Sequence, residues 1–377
     1  MATANVIYPA FDKPLSEDAE RSWTLPARYY IDPAIYGAER EKIFFKSWQY
    51  VGHVSQLANP GDYITGYIID QPVFVLRDRS GALKAFYNVC LHRAHELLKD
   101  SGSLRAAAIT CPYHAWTYDF SGTLRAAPNC KHVKDFDVED FRLTPIRVET
   151  LGGFVFVNLD PDTTSLMDQL GWLEADLRTH VPGFDDLKLY DTTAFGNMST
   201  KANWKVVVDN YVECYHCPKA HPAFADMIEM TEYKTDIIGQ ASRQLGLNTK
   251  PKNSAYEFSP DAPVTHAAFW YVWPNITFNM LPGDTQLTVA VVQPSGVEEC
   301  VFWAHVYGHK AERDPARMAY GRDVLGPEDT GLCESVQRGL HSRTYKQGRI
   351  IVDPERSGIG EHGIHHFHRM VKRALDT

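Results

Sequence analysis

Hydrophobic and polar positions change their spacing twice along this chain. Between Trp48 and Asp160 the apolar residues come in short runs rich in β-branched and aromatic side chains: WQYVGHV, DYITGYIID, PVFVLRD, LKAFYNV and GFVFVNL. Gly, Pro or Asp bounds each run, which is the pattern of short strands. Asn59-Pro-Gly-Asp62, Asp78-Arg-Ser-Gly81 and Asp119-Phe-Ser-Gly122 supply turns between them. A small antiparallel β-domain is therefore expected over residues 46–155. Ahead of it, residues 1–45 carry Pro9, Pro14, Pro26 and Pro33, which break regular structure. Helical spacing sets in over Tyr29–Trp48, with Ile35, Ile43 and Phe44 as apolar points. This lead segment is expected to pack on the domain that follows the β-domain.

Beyond residue 156 a helical period returns. Leu166, Leu170, Leu173 and Leu177 predict an amphipathic helix over Thr164–His180. Strands are expected at Tyr190–Met198, Phe269–Met280, Thr285–Gln293 and Cys300–Tyr307. Helices are expected at Asn203–Cys217, Ala311–Leu325, Glu328–Gly339 and Gly363–Leu375. The fold class is α+β: residues 156–377 place helices on one face of an antiparallel sheet. No internal repeat and no low-complexity tract interrupts it.

Composition narrows the function classes. The chain of 377 residues, 44% hydrophobic and 23% charged, has room for two cores. A net charge of −9 argues against nucleic acid, because phosphate backbones need basic patches. No apolar run approaches the ~18 residues of a membrane span, so no membrane association is expected. The N-terminus lacks a basic start followed by an apolar core, and seven cysteines, an odd number, suit a reducing compartment. A cytoplasmic location is expected. Cys130, Cys214, Cys217, Cys300 and Cys333 are expected as plain thiols.

The remaining cysteines stand apart. Cys90-Leu-His92 and Cys111-Pro-Tyr-His114 are two half-sites separated by 18 residues, each offering one thiolate and one imidazole. Zinc sites more often pair cysteine with cysteine and histidine with histidine. The mixed pairs suit a two-iron, two-sulfide cluster, with Cys90 and Cys111 on one iron and His92 and His114 on the other. This stretch resembles the ligand motif of Rieske oxygenases, two-domain enzymes that couple such a cluster to a mononuclear iron.

That resemblance demands a second metal site, and Asp209-x3-Glu213-x2-His216-x4-His221 matches the family's catalytic-domain pattern position by position. A helix running into a break at Pro218 would leave His216 at its end and His221 just beyond, with Asp209 and Glu213 one turn apart on one face. A mononuclear oxygenase iron takes two histidines and one carboxylate. Asp329, in a segment resembling the family's ligand-bearing helix, is the candidate third ligand; Glu328 and Glu334 lie beside it, and Asp329 also has a position suited to capping a helix. The resemblance gives Glu213 a bridging role between the two metal sites, across a subunit boundary in a head-to-tail homotrimer. Most relatives use aspartate there, and the glutamate resembles the branch acting on carnitine and similar quaternary amines. Asp209 either assists or adds negative charge near the iron.

The resemblance also implies O2 as co-substrate and electrons from a separate NAD(P)H-dependent flavin and iron–sulfur reductase, since the chain carries no GxGxxG fingerprint of its own. The expected reaction is hydroxylation, N-demethylation or C–N cleavage of a carnitine- or betaine-like quaternary ammonium compound. Aromatic side chains near the pocket would receive the cation, with Phe269, Trp270, Tyr271 and Trp273 as candidates. Hydroxylation of an aromatic acid is the alternative within the class. A Rieske electron carrier would leave His216 and His221 unexplained, and a structural zinc module would be colourless.

Overall fold

A computed structural model describes residues 13–106, 108–191, 198–309, 314–355 and 360–377. The chain divides into two compact units, one of residues 44–171 and one of residues 1–43 with 172–377.

The strands of the smaller unit all pair antiparallel. Its strands are β1 (Gln49–His53), β2 (Asp62–Ile68), β3 (Gln71–Arg77), β4 (Leu83–Tyr87), β5 (Ser101–Ser103), β6 (Ile109–Thr110), β7 (Thr117–Tyr118), β8 (Leu124–Ala126), β9 (Pro145–Leu151) and β10 (Phe154–Asn158). Seven of them form a sheet in the order β1-β10-β9-β4-β3-β2-β5, and β6-β7-β8 form a second sheet of three strands. Each of the five apolar runs contributes one strand. The expected boundary at residue 155 differs from the structure, in which residues 156–171 stay with the β unit. Arg147 on β9 explains this by donating to the carbonyls of Pro161 (3.4 Å) and Thr163 (2.9 Å), while Glu149 accepts from the Leu166 amide at 2.8 Å.

The first α-helix of the larger unit is α1 (Pro33–Glu39), preceded by short 3-10 turns at Ala19–Arg21 and Ala27–Tyr30 and continued by one π-helical turn over Arg40–Phe44. The helix expected over Tyr29–Trp48 is thus shorter. Asp32 caps it and Pro33 occupies its first turn, where a missing N–H costs nothing. Next come α2 (Leu166–His180), whose first residues belong to the smaller unit, β11 (Lys188–Asp191), β12 (Met198–Thr200) and α3 (Trp204–Tyr211). Part of the strand expected over Tyr190–Met198 lies outside the described residues. Then follow α4 (Cys217–Ala220), α5 (Pro222–Met227), β13 (Lys234–Ile238), β14 (Ala241–Gly246), β15 (Ala267–Val272), β16 (Ile276–Met280), β17 (Gln286–Gly296) and β18 (Glu299–Gly308). Helices α6 (Pro315–Ala319), α7 (Gly326–Leu340) and α8 (His362–Asp376) close the chain.

Eight strands form one antiparallel sheet, seven in the order β11-β18-β17-β16-β15-β14-β13 and β12 paired with β18 off this path. The single strand expected over Phe269–Met280 is a hairpin instead, because Pro274 has no N–H for a ladder and turns the chain between β15 and β16. The helix expected over Ala311–Leu325 has its first residues outside the described set and continues from α6 through a π-helical stretch at Tyr320–Leu325 into α7. Buried Trp204, Tyr271 and Trp273 ring Phe367 of α8. Gly363 lets α8 approach the end of α3: a Cβ there would lie 2.0 Å from the Val212 carbonyl oxygen.

Candidate metal centres and the catalytic cavity

In the smaller unit the two half-sites occupy loops closed by the same hydrogen bonds. The amide of Cys90 donates to His95 O (2.8 Å) and that of Ala94 to Cys90 O (2.9 Å). The amide of Cys111 donates to Trp116 O (2.8 Å) and that of Ala115 to Cys111 O (3.0 Å). Both loops place an alanine in the left-handed region, Ala94 and Ala115 at φ of 56°. Such a conformation is strained for an alanine and persists where the surroundings fix it. Cys90 and Cys111 are 1% and 2% exposed, unoxidised, and within hydrogen-bonding reach of each other. Tyr118 approaches the Cys90 sulfur at 3.4 Å and accepts from the Leu91 amide at 3.0 Å. The His92 and His114 rings lie outside this pair, 4.6 Å apart between centroids, with His92 stacked on Trp116. Two thiols inward and two imidazoles outward is a donor set that fits a Rieske cluster.

The second constellation is in the larger unit. Helix α3 ends at Tyr211, so Asp209 and Glu213 are not neighbours on one helical face as expected. Glu213 itself terminates the helix, because its Oε2 accepts from the Tyr215 amide and, at 3.3 Å, from the His216 amide. A carboxylate that captures the following N–H groups replaces the bonds a helix would make with them. Pro218 starts a helix here: it sits in the first turn of α4, with His216 before that helix and His221 after it. Cys214 and Cys217 are joined in a disulfide across this turn, a correction to their expected state as plain thiols. Cys130, Cys300 and Cys333 are free.

The turn brings His216, His221 and Asp329 together, with one ligand atom of each within 4.8 Å of the others. His216 Nε2 and His221 Nε2 are 3.1 Å apart, His221 Nε2 is 2.9 Å from Asp329 Oδ1, and His216 Nε2 is 3.8 Å from it. Adjacent ligands at metal–nitrogen distances of ~2.1 Å and right angles would stand ~3 Å apart, so the triangle fits one metal ion. Its chemistry is that of two histidines and a carboxylate on one face of an iron. Each imidazole is held from behind by a glutamate: His216 Nδ1 meets Glu213 Oε1 at 2.5 Å, and His221 Nδ1 meets Glu328 Oε2 at 2.7 Å. A carboxylate on Nδ1 keeps its proton there and leaves Nε2 a free lone pair for the metal. Glu328 thus touches the back of a candidate ligand, a position its place in the sequence did not reveal. Glu334 faces elsewhere and accepts from the Lys201 amide at 3.2 Å. Asp329 does not cap α7, whose N-cap is Leu325.

Asp209 does not join this group. It accepts from Tyr30 (2.7 Å) and pairs with His368 Nε2 (2.9 Å). The Leu25 amide donates to His368 Nδ1 at 3.1 Å, which leaves the ring proton on Nε2 for Asp209. Burial, then the Asp209 charge, pushes the Tyr30 hydroxyl well above its ordinary range, so it stays a donor. Asp209 therefore ties the lead segment, α3 and α8 together behind the site.

The triad lines a cavity of about 260 Å³. Tyr211, Phe224, Tyr233, Phe269 and Phe302 supply aromatic walls. Of the four aromatic candidates on β15 and just after it, only Phe269 reaches the cavity. Trp270 donates to Asp176 at 2.6 Å, Tyr271 donates to the Pro274 carbonyl at 2.7 Å, and Trp273 packs on Phe367.

Comparison with known proteins agrees with both domains. Residues 47–137 match the Rieske [2Fe-2S] domain and residues 184–377 the ring hydroxylating alpha subunit (catalytic domain). The chain belongs to the family of Rieske-type ring-hydroxylating oxygenase alpha subunits, enzymes that carry a Rieske cluster and a mononuclear iron and consume O2. More narrowly, it is the oxygenase subunit of a Rieske non-haem iron monooxygenase, an oxidoreductase. It is 42% identical over 360 residues to the carnitine monooxygenase oxygenase subunit of Escherichia coli (strain K12), covering 94% of this chain and 95% of that one. Chloroplastic choline monooxygenase of Beta vulgaris is 33% identical over 366 residues, covering 94% of this chain and 78% of that protein. The crystal structure of the quaternary ammonium Rieske monooxygenase CntA in complex with L-carnitine superposes with a TM-score of 0.85 at 39% identity, covering 97% of this chain and 100% of that one. No helix among the described residues is long and apolar enough to cross a membrane.

Proposed function

We propose that this chain is the terminal oxygenase of a multicomponent system that hydroxylates, N-demethylates or cleaves a C–N bond of a carnitine- or betaine-like quaternary ammonium compound. The observation that carries the reading is the position of the triad: His216, His221 and Asp329 line a cavity together with the aromatic rings of Tyr211, Phe224, Tyr233, Phe269 and Phe302. A cation without N–H groups cannot be recognised by hydrogen bonds, so ring faces are its natural partners. The printed names of the relatives, carnitine and choline monooxygenases, support the same substrate class.

When bound, the iron supplies activation of O2 and the cluster supplies single electrons. The protein's part is geometric. Glu213 and Glu328 fix the two imidazoles, and the single carboxylate of Asp329 leaves the cavity side of the metal position open to O2 and substrate. The aromatic walls exclude water from the reacting carbon. A separate NAD(P)H-dependent reductase supplies electrons. In this reading the working form is a homotrimer in the cytoplasm, with Glu213 bridging to a cluster histidine of the neighbouring subunit. Its grip on His216 Nδ1 supports that role, since the same carboxylate needs only one further imidazole to complete a path.

The test is product formation and NADH and O2 consumption by the reconstituted system over a panel of betaines, choline and aromatic acids. Formation of a demethylated or cleaved amine matched to O2 use is expected. Turnover of aromatic acids alone would transfer the enzyme to ring hydroxylation. In Glu213→Ala the iron and cluster should assemble, while the reduced cluster is reoxidised by O2 and substrate orders of magnitude more slowly. A wild-type reoxidation rate would remove the bridge.

A further inference from the structure

The cavity holds a cation of its own. Arg317 on α6 is 4% exposed and lines the same cavity as the triad, on the wall it shares with a neighbouring cavity of about 280 Å³. Its Nη1 donates to the carbonyls of Leu281 (3.4 Å), Pro282 (3.3 Å) and Asp284 (2.9 Å). Its Nη2 donates to Gln286 Oε1 at 3.1 Å, and its buried Nε has no hydrogen-bond partner. Among the described residues no carboxylate pairs with it. Asp314 and Asp284 act on its charge through space, and the Asp314 carboxylate is turned to the amides of Ala316 and Arg317 as the cap of α6.

A buried guanidinium without an anion is costly, and an unpaired donor adds to that cost. The carbonyls and Gln286 hold the group in one orientation without neutralising it. What they leave over is the second N–H of Nη2 on a guanidinium that lines the cavity, since Nε is closed off from solvent. That N–H can give a carboxylate one charge-assisted hydrogen bond.

We infer that Arg317 binds the carboxylate of the substrate, and that the enzyme selects quaternary amines carrying a carboxylate over neutral ones such as choline. The inference rests on the quaternary ammonium reading above and sharpens it. The substrate then spans the cavity, with its carboxylate on Nη2 of Arg317, its ammonium among the aromatic rings and an N-methyl or chain carbon toward the triad. The anion completes an ion pair for which the protein supplies only one half. Choline, with a hydroxyl in place of the carboxylate, leaves the guanidinium unpaired.

The experiment uses the iron-loaded holoenzyme with its reductase. Dissociation constants and KM are compared for γ-butyrobetaine against its methyl ester and for glycine betaine against choline. A charge-assisted hydrogen bond in a closed site should favour the carboxylate member of each pair on the order of 10- to 100-fold. In Arg317→Gln that preference should collapse, mainly through KM and the dissociation constant, with iron content and visible spectrum retained. Arg317→Lys should recover part of it. Wild-type enzyme that binds the ester as tightly as the acid overturns the inference, and this comparison stands even if Arg317→Gln fails to fold. Full retention of the preference in a folded Arg317→Gln overturns it as well. If quaternary amines turn over with no carboxylate preference, only the role of Arg317 is lost. If no quaternary amine turns over but aromatic carboxylates bind in an Arg317-dependent way, the carboxylate dock stands and the substrate class falls.

Discussion

Glu328 offers the sharpest test of how the iron site is built, because it touches a ligand without being one. Its Oε2 lies 2.7 Å from His221 Nδ1, while Asp329 Oδ1 lies 2.9 Å from Nε2 of the same ring. Glu328→Gln keeps the size but permits the wrong end of the amide to face the ring. Glu328→Ala frees the imidazole to rotate and change tautomer. A hydrogen bond to a charged group contributes about 1.5–3 kcal/mol. The side chain of Glu328 is 32% exposed, so water screens part of this and about 1–2 kcal/mol is the expected loss. That corresponds to a ~5- to 30-fold weaker iron affinity, toward the low end of the usual cost of removing such a partner. The assay is equilibrium dialysis of Fe(II) against the protein with its cluster intact, the visible spectrum serving as the control. Unchanged iron affinity in Glu328→Ala would refute the positioning role. A loss in Glu328→Ala that exceeds the loss in Asp329→Ala would make Glu328 the ligand.

Three further outcomes follow from the structure. Cys111→Ser should abolish the visible cluster spectrum, because an alkoxide is a poor replacement for a thiolate on iron; a retained spectrum would rule out this ligand. Glu39 and Lys205 form an ion pair at 2.6 Å with both side chains 0% exposed, so Glu39→Gln strands a buried ammonium and should cost about 3–5 kcal/mol by denaturant unfolding. The double substitution Glu39→Leu/Lys205→Met should recover most of that loss, and failure to do so would remove charge burial as the cause. Burial, reinforced by Glu213 and Asp209, pushes Glu361 from the usual 4.5 up to about 7 against the pull of the Ile351 amide. A carboxyl raised in the folded state stabilises below its unfolded value and loses that contribution as pH climbs through the folded value. Wild-type stability should therefore fall from about pH 4.5 to 7, and Glu361→Gln should flatten that part of the profile; an unchanged slope would contradict it.

Much of this was readable in the sequence, for identifiable reasons. The apolar runs between residues 48 and 160 became strands because period-two spacing and flanking turn residues point the same way. The candidate ligand residues stood out because cysteine, histidine and carboxylate at fixed spacing are few in kind and demanding in geometry. The local shape around them was not readable. Helical periodicity through Asn203–Cys217 gave no sign that Glu213 would use its own side chain to stop the helix after Tyr211. Pro274 did carry a signal, since a proline inside a strand pattern marks an edge or a turn. Long-range partners were out of reach: Glu328 behind His221, Tyr30 and His368 around Asp209, and the carbonyls of Leu281, Pro282 and Asp284 that orient Arg317. The Cys214–Cys217 pair was passed over because an odd cysteine count says nothing about two residues brought together by one turn.

The central claim is that one chain holds two separate metal sites, a cluster on Cys90, His92, Cys111 and His114 and an iron on His216, His221 and Asp329. The direct measurement is iron content beside the visible spectrum for the wild type and for His221→Ala. The wild type should carry about three irons per chain, two in the cluster and one mononuclear. His221→Ala should fall to about two, keep the full cluster spectrum and lose turnover. A His221→Ala protein that keeps all three irons, or one that loses its colour along with the third, would contradict two independent sites.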